Sequence, residues 1–175
     1  MSRHALLLFA ILTIPAMATR AAVTVTSSDP DQFTDAADRN SDPIKIEQSL
    51  ERHLQKLGER YLPPQANLSI RILDLDRAGR PWRDLPTELR LINGKNDLPC
   101  IDLEWSLATL STSTPPRRER VCDPNFLRSL GPGYSGYSEH DPLVYEKRML
   151  EEWFRTRFSG PATRASSVVP PLLPR

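Results

Sequence analysis

The sequence predicts an α+β fold, a two-layer sandwich in which two helices cover one face of a mixed, mostly antiparallel sheet of about four to five strands. Two observations carry this class. Two segments repeat apolar residues at helical spacing, one opened by Asp42-Pro43 and the other by Asp141-Pro142. The stretches before and between them alternate apolar and polar residues and are punctuated by turn chemistry. The resulting order, strand, helix, several strands, helix, leaves each helix one apolar stripe to bury against a sheet.

The chain opens with Met1-Ser2-Arg3-His4, runs apolar from Ala5 to Ile14, and then gives Pro15 and the small-residue pattern Ala16-Met17-Ala18. That is the basic, hydrophobic and cleavable order of a secretory signal peptide. The alternative is an uncleaved anchor, but an apolar helix of this length, at about 1.5 Å per residue, covers only roughly half of a bilayer core. Residues 1–18 are therefore expected to be removed near Ala18, with no stable membrane insertion afterwards. Residues 19–158 then form one domain, and residues 159–175, rich in Pro, Ser and Ala, a disordered tail with polyproline character.

Within the domain, Val23-Thr24-Val25-Thr26 suits a strand with one buried face, and Asp29-Pro30 ends it. In the first helix, Ile46, Leu50, Leu54, Leu57 and Tyr61 fall at steps of three and four, with Glu47, Glu51, Arg52, Gln55, Lys56 and Glu59 mostly outside. Asp42 caps its free N–H groups, Pro43 fits the first turn, and Pro63-Pro64 stops it. Leu68 to Leu75 alternates and then becomes continuously apolar between its charges, as a central strand covered on both faces would. A further strand is expected at Glu88–Ile92, ended by Asn93-Gly94. Next, Ile101, Leu103, Trp105 and Leu107 point one way, while Cys100, Asp102, Glu104 and Ser106 point the other. A last strand runs around Glu119 to Cys122. The final helix sets Leu143, Met149, Leu150, Trp153, Phe154 and Phe158 inward, and Glu146, Lys147, Arg148, Glu151, Glu152 and Arg155 outward. If the first two strands are parallel neighbours, the first helix is a right-handed crossover between them.

Charge narrows the function classes. Loss of Arg3 with the leader removes one of 23 basic residues and none of the 22 acidic ones, so the mature chain is electrically balanced. A nucleic-acid partner calls for net basic charge or a dense basic stripe, because phosphate neutralisation supplies most of that affinity. Arg117-Arg118-Glu119-Arg120 is interrupted by an acid and reads as a solvated strand end. No nucleic-acid partner is expected.

Cys100 and Cys122 are the two cysteines, and export places them where disulfides persist. A bridge would close a ring contributing roughly 3.4 kcal/mol in the chain-entropy account; the alternative is two separate thiols.

Candidate chemistry is sparse. Asp74 and Asp76, with Asp84 nearby in sequence, share one side of a strand as it enters a turn and would hold Ca²⁺ or Mg²⁺ if further oxygens joined them. The competing reading is that they bond backbone N–H groups or pair with Arg71, Arg77 or Arg80, and it is favoured because the remaining ligands of a calcium loop are missing. Asp102 and Glu104 on an outer strand face read as solvated rather than as an acid and base pair. His53 rides the edge of the first helix's apolar stripe and reads as a packing residue, and His140 precedes a helix cap. Neither stands at ligand spacing from another histidine or cysteine. Gly131 to Ser138 lacks the Lys-Ser/Thr ending of a phosphate loop and reads as an exposed loop presenting Tyr134 and Tyr137.

Three stretches together resemble a family of exported bacterial proteins, domain of unknown function 3016. They are Val23-Thr24-Val25 with Asp29-Pro30-Asp31-Gln32-Phe33-Thr34-Asp35, then Asp74-Leu75-Asp76-Arg77-Ala78-Gly79-Arg80, and Tyr145-Glu146-Lys147-Arg148-Met149-Leu150-Glu151-Glu152-Trp153-Phe154. The resemblance spans nearly all of the domain and implies export and a Gram-negative envelope setting, but no activity. The cysteine pair is not part of that pattern.

The functional expectation is a non-catalytic periplasmic binding or envelope-accessory protein without a cofactor. Its partner would be an envelope protein or small ligand, met through Tyr134 and Tyr137 or the sheet face that the helices leave open. The alternatives are a metal-dependent hydrolase or other enzyme built on Asp74 and Asp76, and a purely structural envelope component.

Overall fold

The structure, a computed structural model, describes residues 20–35, 42–81, 90–94, 96–128 and 141–159. The expected signal peptide, residues 160–175 of the expected tail, Asp84, Tyr134, Tyr137 and His140 lie outside the described residues. The elements are β1 (Ala22–Ser27), a short 3-10 turn (Pro30–Gln32), α1 (Pro43–Tyr61), β2 (Asn67–Asp76), β3 (Arg80–Pro81), β4 (Arg90–Leu91), β5 (Cys100–Ala108), β6 (Arg117–Cys122) and α2 (Val144–Phe158).

α1 forms where its apolar spacing places it. Asp42 accepts from the Ile44 N–H at the N-terminus, and Ile46, Leu50, Leu54 and Leu57 are buried with Tyr61 half-buried beside them. The helix lies so close to β1 that a Cβ at Gly58 would stand 2.0 Å from Val23 Cγ2. Only glycine permits that approach.

The main sheet runs β1-β2-β5-β6. β1 is parallel to β2, with Ala22 opposite Asn67, and the other two pairings are antiparallel, so the sheet is mixed as expected. Leu68, Ile70 and Ile72 of β2, Ile101, Leu103 and Trp105 of β5, and Val121 of β6 make its inner face. They share one core with Leu50 and Leu54 of α1 and Leu150, Trp153 and Phe154 of α2. Trp105 meets Trp153 and Phe158 edge-on, with ring centroids 6.1 and 5.5 Å apart, which closes the β6 side of the sandwich. The outer face is polar: Glu104 pairs with Arg71 and Arg118, and Arg120 with Asp76 and Asp102.

Three expectations need correction. β2 is covered on one face, not two. Its register slips between Ile72 and Asp74, so Leu73 is an inserted bulge residue, and the slip returns Leu75 to the core. The strand expected at 88–92 is described only as Arg90–Leu91 and does not join the main sheet. It pairs with Arg80–Pro81, where Gly79 turns the chain at φ 74 and its missing side chain admits the Leu91 carbonyl. Finally, Glu146 and Arg148 of α2 are buried, at 1% and 6% exposure, not outward. The helix itself begins at Val144, because Asp141 bonds the Leu143 N–H and closes a separate turn first.

Candidate functional site

A groove of about 1240 Å³ runs between α1 and α2, ending at the turn Asp123–Asn125 that follows β6. The two helices lie side by side on the sheet, so their facing flanks leave a trough whose floor is the top of the core: Leu57, Val121, Met149 and Trp153. One wall presents Arg52, His53, Lys56 and Arg60 of α1, and the other Lys147, Glu151, Glu152 and Arg155 of α2.

Most of these charges are matched, either across the groove or along one wall. Glu151 Oε1 accepts from Arg60 Nη1 at 2.7 Å and from the Tyr61 hydroxyl at 3.0 Å. Burial, and then that carboxylate, raise the Tyr61 hydroxyl above its ordinary pKa. Glu152 pairs with Arg155, Asp141 with Lys147, and Asp123 accepts from the Asn125 N–H. His53 Nε2 lies 2.8 Å from the Lys147 carbonyl, which can only accept, so the ring donates there. Burial pushes the imidazole below its ordinary value near 6.5, and the bond to Lys147 opposes this. His53 thus joins the helices as well as packing between them. Arg52 and Lys56, one turn apart, are exposed and have no ion pair or hydrogen bond among the described residues. The groove therefore carries surplus positive charge on its α1 wall, above an apolar floor.

The acidic candidates lie elsewhere. Asp74 Oδ1 accepts from the Thr34 and Leu75 N–H groups at 2.6 and 2.9 Å, and Oδ2 from the Thr34 hydroxyl at 2.7 Å. It fastens the segment after β1 to the end of β2. Asp76 is half-buried, 3.7 Å from Arg120. Burial first, and the nearby Asp35 and Asp74 charges with it, raise its pKa. Asp35 itself pairs with Arg90. Among the described residues no three His, Cys, Asp or Glu side chains gather as a metal site would require.

Asp102 and Glu104 sit on the outer sheet face in the ion pairs already named. Cys100 and Cys122 stand directly opposite each other on β5 and β6 and are joined, and Cys122 reaches the end of the groove. In the sequence, Arg52 and Lys56 read as residues outside the first helix's stripe and no site is drawn from them; the signal passed over is the step of four from Arg52 to Lys56 to Arg60. The α2 wall gives no such signal, since it depends on which helices become neighbours.

The sequence model of a family described as Protein of unknown function (DUF3016) matches residues 21–156. Comparison with curated proteins finds no match. The family match takes in every strand from β1 to β6, all of α1 and all but the last residues of α2, and the chain belongs to this family of proteins of unknown function.

Proposed function

We propose that this is an exported, non-catalytic protein of the cell envelope that works by binding a partner in the groove between α1 and α2. The observation that carries the reading is the groove itself, an apolar floor beside a wall on which Arg52 and Lys56 have no ion pair among the described residues. Concave sites that combine some apolar surface with a few placed polar groups are where proteins bind ligands. Supporting it, the His53 Nε2–H is committed to a main-chain carbonyl and the groove's carboxylates to cations or N–H groups, an arrangement suited to holding shape. The joined cysteines suit an oxidising compartment, and among the described residues no helix is long and apolar enough to cross a membrane. A leader ending near Ala18 would deliver the chain to the periplasm.

The test is photo-cross-linking in cells, with a photoreactive residue at Lys56 in the groove and, as control, at Thr24 on the opposite sheet face. A discrete product from Lys56 alone, competed by excess unlabelled protein, is expected. Products from neither position, or equally from both, would remove the groove from the account. Osmotic shock followed by N-terminal sequencing checks the location, and an intact leader on cytoplasmic protein would contradict it.

A further inference from the structure

We propose that the occupant of the α1–α2 groove is an acidic polypeptide segment in extended conformation, with carboxylates two residues apart meeting Arg52 and Lys56 and the alternate, apolar side chains meeting the floor. This rests on the groove being a binding site, and it names the partner's chemistry.

Three features of the groove select this occupant. Arg52 and Lys56 are the cations left over once Arg60, Lys147 and Arg155 are matched to Glu151, Asp141 and Glu152. Four residues of helix rise about 6 Å, close to the roughly 6.7 Å between residues two apart in an extended chain, so one side of such a chain keeps step with the two cations. The other side then faces Leu57, Met149 and Trp153.

Charge decides against other anions. With Glu151 and Glu152 matched to Arg60 and Arg155, Arg52 and Lys56 are what is left to meet an anion, and two sparse peptide carboxylates use them where a densely charged polyanion would leave most of its charge unpaired. The chain's own residues 159–175 carry Arg164 and Arg175 and no acidic residue, so they lack the required complement.

The experiment titrates the full mature chain into two fluorescein-labelled octapeptides, one alternating glutamate with leucine and one alternating lysine with leucine, and follows anisotropy at low and high salt. The glutamate peptide should bind saturably and more weakly in high salt. The R52E/K56E variant should lose roughly tenfold in affinity for it and gain for the lysine peptide, since two rim charges contribute at about that level. R52Q/K56Q should lose the preference without reversing it. Both cations are exposed, so unchanged melting temperatures are expected and verify that the variants fold. Equal binding of both peptides, or a preference unmoved by either variant, overturns the acidic assignment. If neither peptide binds while Lys56 still cross-links a partner in cells, the peptide assignment falls and the binding function stands; if both fail, both fall. Self-association of the chain through the groove, measured by sedimentation, would likewise overturn the assignment in favour of a second copy.

Discussion

His53 of α1 and the main-chain carbonyl of Lys147 of α2 are joined across 2.8 Å, so one imidazole ties together the two helices that wall the groove. Burial favours the neutral ring and holds its folded pKa below the ordinary 6.5. The unfolded chain then binds a proton more readily than the folded one. The contribution of His53 is complete above about pH 6.5 and is lost as pH falls through the lower folded value. Urea unfolding across this range should show falling stability in the wild type and a shallower slope in His53→Gln. Identical slopes would mean that another group sets the dependence.

Glu146 carries the opposite sign. It is fully buried in the first turn of α2, accepts from the Ala78 N–H at 2.7 Å, and its second oxygen has no hydrogen-bond partner among the described residues. Burial raises its pKa above the ordinary 4.5, against the pull of the Ala78 N–H and of Arg77 and Arg90. Ionisation is therefore penalised in the fold, and stability falls as pH rises from about 4.5 through the folded value. Glu146→Gln keeps an acceptor for Ala78 without the charge, and should match or exceed the wild type at neutral pH. Glu146→Ala strands the Ala78 N–H and should lose about 1–3 kcal/mol. Denaturation midpoints of the two variants at neutral pH would separate these effects, and a strongly destabilised Gln variant would show that the buried charge itself is needed.

Gly58 marks the closest approach of α1 to β1. Alanine ordinarily helps a helix by about 1 kcal/mol over glycine. Here its methyl would overlap Val23 Cγ2, so Gly58→Ala should instead cost about 1–3 kcal/mol. Adding Val23→Ala removes the opposing methyls, and the double variant should be less destabilised than the two single losses added together. Simple additivity in thermal unfolding would refute the contact.

The Cys100–Cys122 bond joins residues that the β5–β6 ladder already holds opposite each other. Replacing both by alanine should keep the fold and remove roughly 3 kcal/mol, about 6–12 °C in melting temperature for a chain of this size. Reduction of the wild type should reproduce that shift; a reduced protein that melts unchanged would show the bond to be thermodynamically idle.

The α1 stripe and the alternation of β5 were legible in sequence, because each follows from periodicity alone; the cysteine bridge was one of two readings that the sequence left open. The bulge at Leu73 was not legible, since an inserted residue in an apolar run looks the same as a strand buried on both sides. Nor was the burial of Glu146, whose partner Ala78 arrives from 68 positions away. A charged residue beside an apolar stripe reads as solvated until its partner is known. The candidate groove was not anticipated: its α1 cations are regularly spaced but read as a solvated face, and its α2 wall is fixed only by packing.

β1 stands first among the described strands, yet its strand partner β2 is reached only after α1, about 45 positions away at Ala22 and Asn67. β5 and β6, by contrast, meet across about a dozen positions at Trp105 and Arg117. Closing the longer loop costs more entropy, so β1 is expected to dock late, after the transition state is crossed. Substitutions in its six residues should then leave the folding rate nearly unchanged and accelerate unfolding. On that expectation, the time the protein persists in its native form is set at this edge of the sheet, and unchanged unfolding rates in β1 variants would refute it.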